Sequence, residues 1–199
     1  MDLYCPWEAP QYFLISSNLP SYLLYSHGVA IIFSLLFGGI IFFQNKKTIN
    51  RIFASIMVVF SLWVFFDVIQ WATNSQSVSI FYWSVSVMLE FYIYLSTIYL
   101  SYVFITKEDL SFSKKIILYL PLIPVILLLP TKFLFSGVNL SDCVVNETYF
   151  LIVYGYFLEI ISIFIIILLA IELLRKKYKR EKKEVALFVT GIIIFLAAF

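Results

Sequence analysis

Two long apolar segments of the chain are separated by one basic stretch, Arg175-Lys176-Lys177-Tyr178-Lys179-Arg180-Glu181-Lys182-Lys183-Glu184. This stretch holds seven of the 14 Lys and Arg residues. Cytoplasmic loops of membrane proteins are enriched in Lys and Arg, because positive charge resists translocation. The preceding segment, residues 149–174, is too long and too apolar for an exposed helix of a soluble protein. The stretch therefore predicts a cytoplasmic, lipid-facing loop between two membrane-spanning helices.

The composition of the chain is typical of an integral membrane protein. Of the 199 residues, 62% are hydrophobic, 20% aromatic and only 13% charged, which lies outside the range of soluble globular domains. The polar connections are too short to bury a core of their own. We therefore expect an all-α fold, a polytopic bundle of transmembrane helices in the cell membrane.

Six apolar segments are candidate membrane spans, at residues 22–43, 52–72, 80–105, 116–135, 149–174 and 185–199. The last would rise only about 22 Å, short of the roughly 30 Å hydrocarbon core. We therefore interpret the chain as part of a longer protein, truncated in its sixth span. Residues 1–19 are predicted to be an exported tail, and residues 20–199 one transmembrane helical domain.

The distribution of basic residues predicts which side each loop occupies. Thirteen of the 14 Lys and Arg residues fall in three alternate loops, and only Lys132 falls on the other side. This pattern predicts a multi-pass protein with its N-terminus outside. Two local features are also expected: close helix packing at Ser34 and Gly38, and a kink at Pro121 and Pro124 that neighbouring helices would have to satisfy.

The only two cysteines, Cys5 and Cys143, both fall on the predicted outer side. Disulfides form and persist in that oxidising environment. We expect a bridge between them, although two unrelated thiols remain the alternative, because sequence separation says nothing about distance. The chain has no CxxC motif and one histidine, so no metal site is expected.

Four ionisable residues lie within the outer half of the predicted bundle. His27 and Asp67 lie a few residues deep, whereas Glu90 and Glu159 lie about ten residues deep, near 15 Å at the rise of a helix. Ionisable groups at this depth are costly and usually face a cavity or each other. We therefore expect these four residues to line an outward-facing polar pocket that binds a cation, senses protons or contacts a small ligand. The alternative is that they only form hydrogen bonds between helices.

No Lys or Arg lies at the depth of the two glutamates. Their carboxyl groups must therefore be protonated, hydrated or hydrogen-bonded to a nearby tyrosine. The tyrosines in reach on the sequence are Tyr92, Tyr94 and Tyr154.

Catalytic and cofactor motifs are missing from the sequence. It contains no GxSxG, HExxH, Walker or glycine-rich nucleotide motif, and the basic stretch lacks the folded platform expected for nucleic-acid binding. We expect no enzyme activity, no cofactor and no nucleic-acid partner.

The order of several short motifs resembles the seven-helix membrane (7TM) input region at the N-terminus of bacterial sensor histidine kinases. The resembling residues are Asn50-Arg51 before Trp63 and Asp67, Phe81-Tyr82-Trp83 before Glu90, Tyr99 to Phe104 before Lys107-Glu108-Asp109, Leu120-Pro121, Asp142-Cys143, and Tyr154 to Glu159 before the basic stretch. The resemblance covers most of the chain from Tyr22 onward. These residues contain no phosphoacceptor histidine box and no ATP-binding box, so the resemblance implies no kinase activity for them.

The resemblance implies a membrane-embedded sensor of two-component signal transduction that relays a stimulus to a cytoplasmic output domain. The expected partners are the lipid bilayer, a cytoplasmic histidine-kinase output domain and, as an option left open, a second copy in a homodimer. The competing function is a small transporter or a proton or cation conduit that uses Glu90, Glu159 and Asp67. A membrane-embedded scaffold is a third class.

Overall fold

The computed structural model describes Cys5 and residues 19–129, 131, 133–139, 144–176 and 179–197, without the side chains of residues 173–176 and 179–181. The described part is mostly helical. The predicted exported tail lies outside the described residues except for Cys5 and Leu19. The elements are α1 (Ser21–Gln44), α2 (Thr48–Ala72), α3 (Gln76–Thr106), α4 (Phe112–Tyr119), α5 (Leu122–Leu128), β1 (Phe135–Asn139), β2 (Val144–Glu147), α6 (Tyr149–Lys176) and α7 (Lys179–Ala197).

Four helices in the described residues are long and apolar enough to cross a membrane: α1, α2, α3 and the Tyr149–Glu172 part of α6. Long apolar segments without an internal proline favour such helices, because a helix satisfies every backbone polar group within the segment. Their bounds lie within four residues of the sequence prediction. The other two predicted spans, over α4–α5 and α7, do not meet this criterion of length and composition.

Helix α3 lies at the centre of the bundle. Its buried residues include Phe91, Ile93 and Tyr94 and occur all round the helix, which is typical of a helix enclosed by neighbours. It packs against α2 on one side and α6 on the other. Helix α1 packs chiefly on α2, and most of its large apolar side chains are exposed.

The predicted close packing of α1 on α2 is confirmed. Ser34 and Gly38 are both buried, and the Ser34 hydroxyl donates to the carbonyl oxygen of Ala30 at 2.7 Å. A Cβ atom at Gly38 would lie 2.9 Å from Cβ of Met57. At the short connection of the two helices, Asn50 Nδ2 donates to the Ile41 carbonyl oxygen at 2.9 Å.

The predicted kink is seen at Pro121, as a break between α4 and α5, whereas Pro124 lies within α5. Both Leu120 and Pro121 keep right-handed helical dihedrals, but Pro121 has no N–H to donate. The hydroxyl of Tyr154 on α6 donates to the Pro121 carbonyl oxygen at 2.7 Å. A neighbouring helix therefore supplies a hydrogen bond at the break, as sequence analysis anticipates.

A two-stranded antiparallel hairpin, β1–β2, lies where sequence analysis placed an outer loop. Val138 pairs with Val145, and Phe135 pairs with Glu147 across a bulge. Gly137 has φ of +144° at this bulge, a conformation that glycine adopts without steric cost. Phe135 and Val145 are buried against the core, so the hairpin covers one end of α3 and α6.

Basic residues gather at the opposite end of the bundle. Asp109 lies in the turn after α3, where Lys115 Nζ of α4 donates to its Oδ2 at 2.8 Å and the Tyr99 hydroxyl of α3 donates to its Oδ1. These two hydrogen bonds, first that of Lys115, lower the pKa of Asp109 below its ordinary value. The side chain of Asp109 is 44% exposed, so this pair contributes little to stability.

The basic stretch is more helical than predicted. Helix α6 continues to Lys176 and α7 begins at Lys179, six residues before the predicted start at Val185. The predicted start of this helix was wrong because it rested on the apolar pattern, which the charged residues mask. Lys, Arg and Glu are nevertheless good helix formers, so α7 begins among them. Of the lipid-facing residues proposed in this stretch, Lys177 lies outside the described residues. Lys183 is exposed and Lys182 is half-buried.

Candidate functional site

A cavity of about 570 Å³ lies between α3, β2 and α6 and is lined by three carboxylates, Glu90, Glu147 and Glu159. Each comes from a different element. The remaining wall is largely aromatic and apolar. It includes Val87, Phe91, Tyr94, Leu151, Tyr156 and, from the far end of α7, Ala197. The structure therefore brings the two predicted glutamates together in one cavity with a third.

Glu90 is held by a residue of its own helix. The Tyr94 hydroxyl donates to Glu90 Oε1 at 2.6 Å, because positions four apart lie on the same helix face. The other two tyrosines considered from the sequence bond elsewhere. Tyr92 shares a hydrogen bond of 2.9 Å with Ser55, and Tyr154 bonds the Pro121 carbonyl.

Glu147 is not among the candidate residues identified from the sequence, although it falls in a loop predicted to lie on the outer side. The last position of β2 sets its carboxylate at the entrance of the bundle, where Trp83 Nε1 donates to Glu147 Oε1 at 2.7 Å. The sequence does place an acidic residue, Glu147, just ahead of α6 and a tryptophan, Trp83, near the start of α3. Only the hairpin register, however, brings these two residues together.

Glu159 lines the same cavity from α6. Its side chain is half-buried, and no hydrogen-bond partner of its carboxylate occurs within the described ranges. A small neighbour, Gly155, lies one turn earlier on the same face and leaves space in front of Phe91, whose ring carbon would be 3.5 Å from a Cβ there. Glu159 is thus the carboxylate of this cavity most open to a ligand.

A second, smaller cavity of about 80 Å³ adjoins the first and shares Glu90 and Glu147 with it. Asp67 and Gln70 of α2 line its other side. Gln70 is buried, and its Nε2 donates to the Ser86 hydroxyl of α3 at 3.0 Å. Asp67 therefore lies beside the two glutamates but not in the larger cavity.

His27 pairs with Asp67 and connects α1 to α2. Its Nε2 lies 2.9 Å from Asp67 Oδ2, and its Nδ1 lies 2.9 Å from the carbonyl oxygen of Leu23. His27 lines neither cavity.

Cys5 is in a disulfide. Its backbone N–H donates to the carbonyl oxygen of Asn74 at 2.9 Å, so this part of the tail lies against the connection between α2 and α3. Cys143, the predicted partner and the only other cysteine of the sequence, lies outside the described residues. The pairing of the two therefore stays a prediction.

The carboxylates of the cavity are not arranged as a metal centre. In the part of the chain that the structure describes, no three His, Cys, Asp or Glu residues form a group able to hold a metal ion. The combination of spaced carboxylates with aromatic walls suits an organic cation better, because aromatic faces attract cations. A neutral ligand could also bind by donating hydrogen bonds to the carboxylates.

Comparison with known proteins gives no similar protein: no family model matches the chain, and neither a curated protein nor a solved structure matches it.

Proposed function

We propose that the chain is a sensory input module of the cell membrane, with its N-terminus outside and six apolar segments crossing or entering the bilayer. In this arrangement α4 and α5 together form the kinked fourth segment, and α7 forms the sixth. The support is the segregation of charge. Lys46, Lys47, Arg51, Lys107 and Lys115 lie at one end of the bundle, and the hairpin with Glu147 lies at the other. Such an asymmetry matches the preference for basic residues on the cytoplasmic side.

The stimulus in this proposal is a small organic cation that enters from the outer face. The observation that carries it is the cavity of about 570 Å³ that Glu90, Glu147 and Glu159 line together. Its volume is in the range of small-molecule sites. The aromatic residues Phe91, Tyr94 and Tyr156 supply the faces on which an alkylammonium group packs.

The signal passes through α7. Ala197 lines the cavity, while the middle of the same helix packs on α3 near the basic end, where the ring centroids of Phe104 and Phe188 lie 4.0 Å apart. A ligand between α3 and α6 would displace α7, and the shift would reach a cytoplasmic output domain of the histidine-kinase type. Such a relay needs two helix packings of similar energy, one of which the ligand favours. A homodimer would carry the same shift to a second copy.

A proton or cation conduit is the second candidate, because Asp67 in the smaller cavity extends the row of carboxylates. This row of carboxylates ends near the middle of α3 and α6. Beyond Glu90, α3 has no charged residue before Lys107, and beyond Glu159, α6 has none before Glu172. A cavity with no charged residues beyond it favours the binding of a cation over its passage across the membrane.

Binding of choline to the full chain in nanodiscs tests the proposal, with the tryptophan fluorescence as the readout, because one of the four tryptophans, Trp83, donates to Glu147 at the cavity. We expect a saturable change with choline and none with its neutral carbon isostere, dimethylbutanol. Glu159→Gln should weaken choline binding about tenfold, the loss expected for one charged partner. Glu172→Gln, on the same helix but outside the cavity, is the matched control.

The opposite results would reject the proposal. Equal responses to choline and to dimethylbutanol would remove the cation site. Cation flux into proteoliposomes that Glu90→Gln abolishes would replace the sensor with the conduit.

A further inference from the structure

A groove of about 460 Å³ runs between α1 and α2 and is lined by none of the carboxylates of the two cavities. Its walls are apolar. They include Leu35 and Phe42 of α1 and Ala54, Val58 and Val59 of α2. From Arg51 to Val59 the groove is about 12 Å long at the rise of a helix. It therefore covers part of the hydrocarbon thickness of one bilayer leaflet.

Gly39 lines the groove and adds no side chain to it. A Cβ at Gly39 would meet nothing within 4 Å, so the space in front of it is open. Its neighbour Gly38 is different, since a Cβ there would meet Met57. One glycine thus brings the two helices together, and the next leaves the groove beside them.

One end of the groove is basic. Arg51 lines it, and its exposed side chain has no ion pair or hydrogen bond among the residues that the structure describes. Lys46 and Lys47, both exposed, are in the short connection just before α2. In the described ranges no Asp or Glu forms an ion pair with any of these three residues.

We propose that this groove binds one anionic phospholipid, with an acyl chain against the apolar walls and the headgroup phosphate on Arg51. Charge complementarity selects this occupant. Arg51 lines the groove, and Lys46 and Lys47 come shortly before it in the chain, so this basic end suits a lipid that carries net negative charge. Basic pockets between membrane helices on the cytoplasmic side bind such headgroups, and guanidinium groups bind phosphate in a bidentate manner. The site is independent of the carboxylate cavity and of its ligand.

The test is native mass spectrometry of the full chain released from nanodiscs that contain equal amounts of phosphatidylglycerol and phosphatidylcholine. We expect the wild-type chain to retain one phosphatidylglycerol. Arg51→Gln should lower the retained fraction about fivefold, the effect of one cation at a membrane surface. Gly39→Leu should lower it by a similar factor, because Gly39 lines the groove and a leucine side chain there would occupy it.

Two matched controls separate the groove from bulk lipid. Lys114→Gln removes an exposed cation of the same end, and Gly28→Leu adds a side chain to open space elsewhere on α1; both should retain the lipid as the wild type does. Circular dichroism checks that all four variants keep their helices, and Arg51→Gln alone decides the result if Gly39→Leu does not fold. Retention unchanged in Arg51→Gln, or equal retention of phosphatidylcholine by the wild type, would overturn the proposal.

Discussion

At the residue scale, single side chains or their absence decide how closely the helices approach. Gly38 is the clearest case, because its missing side chain lets α1 lie directly on Met57 of α2. Sequence analysis identified Gly38 from its spacing to Ser34. It could not say which of the adjacent residues Gly38 and Gly39 faces α2, since that depends on the rotation of α1.

Gly38→Ala should therefore destabilise the protein, whereas Gly28→Ala should not. The new Cβ would lie 2.9 Å from Cβ of Met57, an atom near the backbone that cannot move aside by a rotamer change. Overpacking of this kind costs about 1–3 kcal/mol. Thermal unfolding in the same nanodiscs measures the difference. Equal melting temperatures of the two variants would contradict the close contact of α1 with α2.

The position of Glu147 illustrates what residue patterns could not predict about the site. Glu90 and Glu159 were identifiable, since an acid in the middle of an apolar segment stands out. Glu147 follows a short polar segment, where acids are common and carry no signal. Its position at the cavity depends on the strand pairing with Phe135 and on the hydrogen bond from Trp83. Both are contacts between residues distant in the chain.

At the element scale, the length of apolar segments was enough to predict α1, α2, α3 and α6. Segments of this length form helices in a membrane because no other structure satisfies their backbone groups. The hairpin was not predicted, because β1 and β2 are only five and four residues long and their alternation is broken by a bulge. The start of α7 was misplaced because charged residues lead its first turns.

The break between α4 and α5 depends on α6, and this dependence can be measured. Tyr154→Phe removes the donor to the Pro121 carbonyl oxygen and should cost about 1 kcal/mol, the usual net contribution of one hydrogen bond. Tyr149→Phe, whose side chain is 82% exposed, is the control and should leave stability unchanged. Chemical or thermal unfolding of both variants gives the comparison. A Tyr154→Phe chain as stable as the wild type would show that α6 does not support the break.

At the scale of the whole molecule, the bundle has two chemically different ends. One end holds the hairpin, the connection that contacts Cys5, and the carboxylate cavity. The other holds the connection between α1 and α2 and the turn after α3, where the described basic side chains of Lys46, Lys47, Arg51, Lys107 and Lys115 lie. The sensor proposal and the lipid groove both depend on this polarity, because the first needs an outer cavity and the second an inner basic mouth.

Labelling of single engineered cysteines on intact cells with a membrane-impermeant maleimide tests this polarity most directly. Val144→Cys, at an exposed position of the hairpin, and Lys183→Cys, at an exposed position of α7, report on the two ends, and the unmodified chain gives the background. We predict that Val144→Cys reacts in intact cells and that Lys183→Cys reacts only after permeabilisation. Reaction of Lys183→Cys in intact cells, with Val144→Cys protected, would contradict the account.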